Sequence, residues 1–366
     1  MDVMRAADER AAAGAGVLHL EVGQPSTPAP AGVREAARSA LETDRLGYTG
    51  ALGLPALRQR IARHYGENYG VEVDWRRVVV TTGSSGAFVL AFIAAFDAGD
   101  RVAAASPGYP AYRNILAALD VQMVSLPVDA GTRFQPTPSL LDGLEERPQG
   151  LIVASPANPT GSMLDAAGLA ALAGWCRDEG VHLISDEIYH GITYGMPVAT
   201  ALEFDKDAIV VNSFSKYYSM TGWRLGWMVL PEPLIRPVEC LAQNLFIAPP
   251  SLSQHAAIAA FDCREELDAN VARYGRNRAL LLDGLPRAGF RRLAPADGAF
   301  YVYAELDEAC ADSVAFTGRM LAETNIAATP GVDFDPMRGD RFVRFCFAGR
   351  EEDMSEAIER LVAWRG

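Results

Sequence analysis

The chain has 366 residues, 49% of them apolar and 22% charged, the composition of a globular chain with length for two domains or one large one. Lys and Arg total 33 against 46 Asp and Glu, a net charge of −13 with no basic block, which argues against nucleic acid and anionic membranes as partners. The longest apolar run, Ala87 to Phe96, is half the roughly 20 residues a spanning helix needs, and Asp2, Arg5, Asp8, Glu9 and Arg10 precede any apolar stretch, unlike a secretory signal.

Along the chain, short apolar runs alternate with longer helical stretches from about residue 54 to 230. The predicted strands are Val78–Thr82, Val102–Ala105, Val121–Ser125, Leu151–Ala154, Val181–Ser185, Ile209–Ser213 and Leu225–Val229. They lack polar alternation, as strands covered on both faces do. Helices are predicted at Pro55–Tyr69 and Asp165–Glu179, giving an α/β domain around a mostly parallel sheet. After residue 250 the helical stretches Leu252–Ala260 and Glu265–Leu285 lead into alternating strands at Ala299–Glu305 and Arg341–Phe347. The expected division is a large domain over 34–250 and a smaller α+β domain from 1–33 and 251–366.

Lysine occurs only twice, at Lys206 and Lys216. Arginine stays protonated at any working pH, so a lysine kept in an arginine-rich chain is a candidate for chemistry arginine cannot do. Lys206, between Asp205 and Asp207, reads as a solvated turn residue. Lys216 follows a strand, in Ser213-Phe214-Ser215-Lys216.

Ligands bind beyond the carboxyl ends of strands in open α/β sheets. Polar residues gather at those ends here: Gly83-Ser84-Ser85-Gly86, Ser106-Pro107-Gly108-Tyr109, Asn158-Pro159-Thr160-Gly161, Asp186-Glu187-Ile188-Tyr189 and Ser215-Lys216. Each alone reads as a turn or helix cap; five at one sheet edge do not. Ser84 and Ser85 open a helix whose free amides suit a phosphate. Ser213, Ser215 and Arg224 add donors. Asp186 suits a protonated ring nitrogen, Asn158 and Tyr189 a phenolate oxygen, and Tyr109 a ring face. With a Schiff-base lysine at 216, this set fits pyridoxal 5′-phosphate.

The same stretches, with Tyr48-Thr49-Gly50, Gly222-Trp223-Arg224-Leu225-Gly226, Gly298-Ala299-Phe300-Tyr301 and Val343-Arg344-Phe345, resemble the class I/II aminotransferases of fold-type I over nearly the whole chain. The resemblance implies a seven-stranded, mostly parallel sheet and a smaller α+β domain. It makes Lys216 the Schiff-base lysine and Asp186 the pyridinium partner. Asn158 and Tyr189 would hold the 3′-oxygen, and Ser84, Ser85, Ser213, Ser215 and Arg224 the phosphate. Tyr109 would stack on the ring, and Arg344, Gly23 and Asn158 would hold the substrate α-carboxylate. Tyr48 would reach the phosphate of a neighbouring subunit, which implies a homodimer. Arg344 also sits mid-strand on the face of Phe342 and Cys346, where an unpaired cation is costly.

Two departures bear on substrate. Aspartate-type relatives commonly carry a lysine where Ser85 stands, and only 22 residues precede Gly23 where relatives usually carry a longer arm, so the cover over the substrate is expected to differ. The resulting expectation is a cytoplasmic transaminase with a neutral or aromatic donor and 2-oxoglutarate as acceptor. The alternatives are an aspartate aminotransferase, a cystathionine β-lyase-like enzyme, or a cofactor-sensing regulator domain, which would need a basic extension that the chain lacks. No metal site is expected. The five cysteines are scattered, His19, His64, His182, His190 and His255 lack ligand spacing, and Trp175, Trp223 and Trp227 read as packing. Glu187 is expected to orient the Asp186 turn, and Cys346 has no evident role.

Overall fold

The computed structural model describes residues 2–290, 292–307 and 312–365; Cys310 lies outside them. In chain order the elements begin with α1 (Asp2–Ala12), β1 (Leu18–His19), α2 (Ala31–Thr43), α3 (Pro55–Tyr69), β2 (Val78–Thr81), α4 (Gly83–Ala95), β3 (Arg101–Ser106), α5 (Pro110–Ala118) and β4 (Gln122–Pro127). Next come α6 (Pro138–Asp142), β5 (Gly150–Ala154), α7 (Ala166–Glu179), β6 (His182–Asp186), β7 (Ile209–Ser213), β8 (Gly226–Val229) and α8 (Glu232–Leu245). The remainder is α9 (Ser251–Ala260), α10 (Arg264–Arg287), β9 (Tyr301–Glu305), α11 (Ser313–Thr324), β10 (Ile326–Ala327), β11 (Thr329–Pro330), β12 (Phe342–Cys346) and α12 (Glu351–Arg365).

The seven strands predicted between residues 78 and 229 form one sheet of order β2-β8-β7-β6-β5-β3-β4. Only β8 runs antiparallel to its neighbours. Successive strand residues alternate between two cores. Leu151, Val153, Leu183 and Val210 join one cluster, while Ile152, Ile184, Ile209 and Val211 join the other. Along the inner strands both faces are dry, which is why these read as unbroken apolar runs, whereas the edge strand β4 exposes Gln122, Ser125 and Pro127.

Local signals set the helix ends. Pro55 occupies the first turn of α3, and Gly70 closes it in the left-handed region at φ 68°. The Asp165 side chain accepts from Gly168 N at the start of α7, and Gly180 ends it at φ 67°. A second, three-stranded antiparallel sheet of order β11-β12-β9 carries Arg344 in its middle strand. The parallel pair β1-β10 joins the front of the chain to residue 326. Helix α1 was not foreseen in the charged front end. Ala7 packs it on Leu321 and Ala327, and Arg10 donates to Asn325 Oδ1 and Ala322 O, each at 2.6 Å, at the end of α11. Among the described residues, no helix is long and apolar enough to cross a membrane.

Candidate active site

A cavity of about 420 Å³ lies at the carboxyl edge of the large sheet, between it and the three-stranded sheet. Its volume is ordinary for a small-molecule site. The single antiparallel strand matters here. Because β8 runs against the rest, its first residues share the edge at which the parallel strands end. Gly226 pairs with Thr81 on one side and Ser213 on the other, which brings Arg224 beside the start of α4. Arg224 is held in the left-handed region at φ 53°, a conformation that costs free energy and is kept where a side chain must be aimed.

Helix α4 opens with Gly83-Ser84-Ser85, with no acid in its first turn and no side-chain cap from Thr82. Its first amides are therefore free for an anion, and the helix dipole favours one. Gly83 is at φ 72°, and a Cβ there would run into the Arg224 guanidinium, so only glycine lets helix end and cation meet. Arg224 Nη1 donates to Thr221 O at 3.0 Å. Ser84, Ser85, Ser215, Thr221 and Arg224 line this end of the cavity.

Asp186 ends β6, almost fully buried. Burial pushes its carboxyl up to about 6, against the Tyr112 hydroxyl, Ile188 N–H and Lys216 charge that hold it down. Tyr112 Oη donates to Oδ2, and Ile188 N to Oδ1 at 3.1 Å. Tyr109 packs edge-on to Tyr112 with centroids 5.4 Å apart, and both line the cavity. Lys216 Nζ donates to Gly23 O at 2.6 Å and stands 5.7 Å from the Tyr189 ring centre. Burial brings its amine down to about 8; Arg344 and Arg224 add to this, while Cys346 and Asp186 oppose it. A lysine with that value supplies free amine near neutral pH.

Arg344 is buried at the other wall. Nη1 donates to Asn158 Oδ1 at 2.8 Å, and Nη2 to Glu21 O at 2.5 Å and Thr329 Oγ1 at 3.2 Å. Its Nε is buried and has no partner among the described residues. The rings of Tyr301 and Phe334 lie 4.4 and 4.7 Å from its Cζ. A buried guanidinium with an orphan donor, facing a cavity, suits a carboxylate.

Of the sequence-predicted residues, Ser84, Ser85, Tyr109, Asn158, Asp186, Tyr189, Ser215, Lys216, Arg224, Gly23 and Arg344 line one cavity. Ser213 is not among the lining residues: its hydroxyl donates to Leu225 O and accepts from Ser215 N, within the turn that carries Lys216. Tyr48 also lies outside, with 84% of its surface exposed. Sequence reasoning missed Tyr112, Thr221, Tyr301, Phe334 and the α1 residues Val3 and Met4, all at the cavity wall. Tyr301 stands in a quoted motif and Tyr112 three residues after another, and only their reach across the fold shows their partners. Glu187 accepts from Thr200, Ala201 N and Ser185, which pins the turn after Asp186 as expected. Trp227 is core packing. Among the described residues, no cluster of His, Cys, Asp or Glu could hold a metal.

The profile of the family "Aminotransferase class I and II" matches residues 15–361, and the chain belongs to that family of pyridoxal 5′-phosphate enzymes. It is 53% identical to a protein of Mycobacterium tuberculosis named valine–pyruvate aminotransferase, over all of this chain and 95% of that one. A crystal structure of an aminotransferase from Mycobacterium tuberculosis, 52% identical, superimposes with a TM-score of 0.98 over 100% of this chain and 95% of the other. An aspartate aminotransferase of Sulfurisphaera tokodaii is 32% identical, over 94% of this chain and 89% of that one. The fold is therefore that of the fold-type I aminotransferases, and this chain is an aminotransferase.

Proposed function

We propose that this aminotransferase moves the amino group of a neutral, apolar amino acid to a small monocarboxylic oxo acid, with valine and pyruvate as the leading pair. The charge of the cavity carries this reading. Among the described residues lining it, the cations are Lys216, Arg224 and Arg344. These match the cofactor's carbonyl, its phosphate and the substrate α-carboxylate in turn. Among the described lining residues there is no fourth cation for a distal carboxylate, Glu21 and Asp333 add acids, and Val3, Met4, Val22, Ile188 and Phe334 add apolar surface. A distal carboxylate left unpaired in such a site is costly to desolvate. Donor and acceptor occupy the same pocket in turn, so 2-oxoglutarate is disfavoured along with aspartate. The name of the Mycobacterium tuberculosis relative supports the same pair.

The α4 amides, Ser84, Ser85, Ser215 and Arg224 fit the cofactor phosphate, and Asp186 fits its ring nitrogen, with Tyr112 and Ile188 N–H holding the carboxylate in place. Tyr109 fits the ring face, and Tyr189 and Asn158 the ring oxygen. When bound, pyridoxal 5′-phosphate supplies the electron sink that lets a proton leave the substrate Cα. Arg344 and the backbone at Gly23 fix the α-carboxylate and so the orientation of that Cα–H bond. Lys216 Nζ would then take the proton from Cα as general base and, as general acid, deliver it to the cofactor's carbonyl carbon. The aromatic wall of Tyr189, Phe300 and Tyr301 shields the transfer from water.

The enzyme works in this reading as a homodimer, with 34–250 carrying the cofactor side and 1–33 with 251–366 the carboxylate side. Tyr48 is exposed together with Leu41, Leu245 and Ile247. Ser251 donates to Gly47 O, so the Tyr48 segment lies against the residues that follow α8. An apolar patch beside an outward tyrosine suits a partner that shares its sites.

Twenty amino acids screened against pyruvate and against 2-oxoglutarate, with oxo-acid formation and ammonia release both recorded, test the reading. Valine-like donors with pyruvate should give the highest kcat/KM. Aspartate with 2-oxoglutarate in first place would reject the substrate assignment, and ammonia release without exchange would make the protein a β-lyase.

A further inference from the structure

Tyr301, the first residue of β9, touches three parts of the site with one buried side chain. Its hydroxyl is 2.6 Å from that of Tyr189. Its ring lies 4.4 Å from the Arg344 guanidinium carbon. A Cβ at Gly23 would collide with its hydroxyl, so Gly23 must be glycine for the tyrosine to stand there, and the carbonyl of Gly23 receives the Lys216 ammonium. The strand register explains the reach. Tyr301 pairs with Cys346 and Tyr303 with Arg344, which leaves Tyr301 on the diagonal from Arg344, on the same face.

Two hydroxyls in one hydrogen bond have one proton between them and one to give elsewhere. If Tyr189 gives its proton to the cofactor's ring oxygen, Tyr301 is the donor to Tyr189. We propose that Tyr301 is a positioning residue with two separable duties: its hydroxyl donates to Tyr189 and aims that residue's proton at the cofactor oxygen, and its ring carries the Arg344 guanidinium. The first duty acts on the cofactor and the second on the substrate carboxylate. Linked donors polarise one another, so losing the Tyr301 hydroxyl weakens Tyr189 as a donor. Cation–ring contact is worth more in a dry site than on the surface.

Three variants of the holoenzyme separate the duties. A donor to the ring oxygen makes it easier to lose the proton shared by that oxygen and the lysine nitrogen. The pH midpoint of the cofactor's visible band reports that loss. Tyr301→Phe should raise the midpoint by about 0.5–1 unit, the scale of one hydrogen bond. It should lower kcat and leave KM within about twofold, because the ring remains. Tyr189→Phe should raise the midpoint further, and adding Tyr301→Phe to it should change nothing more. Tyr301→Leu should also raise KM for amino acid and oxo acid alike by about tenfold. An unmoved midpoint in Tyr301→Phe, or a shift that adds fully to that of Tyr189→Phe, overturns the hydroxyl's duty. An unchanged KM in folded Tyr301→Leu overturns the ring's. A wild type with no visible band after loading defeats the cofactor assignment, and this inference with it.

Discussion

Arg344 Nη1 and Asn158 Oδ1 are 2.8 Å apart, joining the middle strand of the small sheet to the loop that follows β5 in the large one. The bond ties the wall proposed for the substrate carboxylate to the wall proposed for the cofactor. Because every substrate carries an α-carboxylate, Arg344→Ala should raise KM for all amino acids and oxo acids. Removing one partner of a buried, charge-assisted pair costs roughly 2–5 kcal/mol. Arg344→Lys should recover only part, since its ammonium cannot serve Asn158, Glu21 O and a carboxylate with one planar fork. Steady-state kinetics with several donors check this, and an effect confined to one donor would move Arg344 to the side-chain pocket.

Asp186→Asn should keep bound cofactor and lose about 10²-fold or more in kcat, because a neutral amide does not hold the ring nitrogen protonated. Tyr112 acts through that carboxylate. Its removal as Tyr112→Phe should cost about tenfold, the scale of a hydrogen bond to a charged group. The double variant should be no slower than Asp186→Asn alone. Independent, multiplying losses would show that Tyr112 has a role apart from Asp186.

Ser85 lines the cavity at the phosphate end. Ser85→Lys adds a fourth cation to the cavity and removes one phosphate donor, so overall activity should fall while kcat/KM for aspartate rises relative to that for valine. The ratio of the two is the measurement. A wild type that already prefers aspartate, or a Ser85→Lys variant with the ratio unmoved, contradicts the charge argument.

Burial pushes the Glu187 carboxyl from its ordinary 4.5 up to about 8, against hydrogen bonds from Ala201 N, Thr200 and Ser185. The folded protein keeps a proton here that the unfolded chain has lost between those values. The contribution to stability is therefore full below about pH 4.5 and is lost as the pH rises through about 8. Glu187→Gln removes this dependence. Urea midpoints of the cofactor-free proteins should move in the variant's favour from pH 5 to pH 8.5, and a constant difference would show that Glu187 titrates normally.

Much of this arrangement was legible in the sequence because strands buried on both faces and turns rich in glycine and serine leave local marks. Ile209–Ser213 and Pro55–Tyr69 agree with the structure to the residue, and the other strands to within a few residues. What the sequence hid was long-range. Nothing local shows that β8 runs backwards and so brings Arg224 to Gly83. Tyr112 meets Asp186 across 74 residues and Tyr301 meets Tyr189 across 112. The two-residue strands β1, β10 and β11 are too short to show a period. The charged front end gave no sign that α1 would place Val3 and Met4 at the cavity wall, since that depends on Ala7 and Arg10 docking on distant residues of α11 and β10 and on Asn325 between them.

The central claim is that Lys216, and not Lys206, is the residue that holds the cofactor and moves the proton. Borohydride reduction of the protein loaded with pyridoxal 5′-phosphate, followed by peptide mapping by mass spectrometry, tests it directly. The reduced cofactor should be found on the peptide containing Lys216, and Lys216→Arg should fold, show no such adduct and have no transaminase activity. An adduct on Lys206, or exchange that persists in Lys216→Arg, would contradict the account.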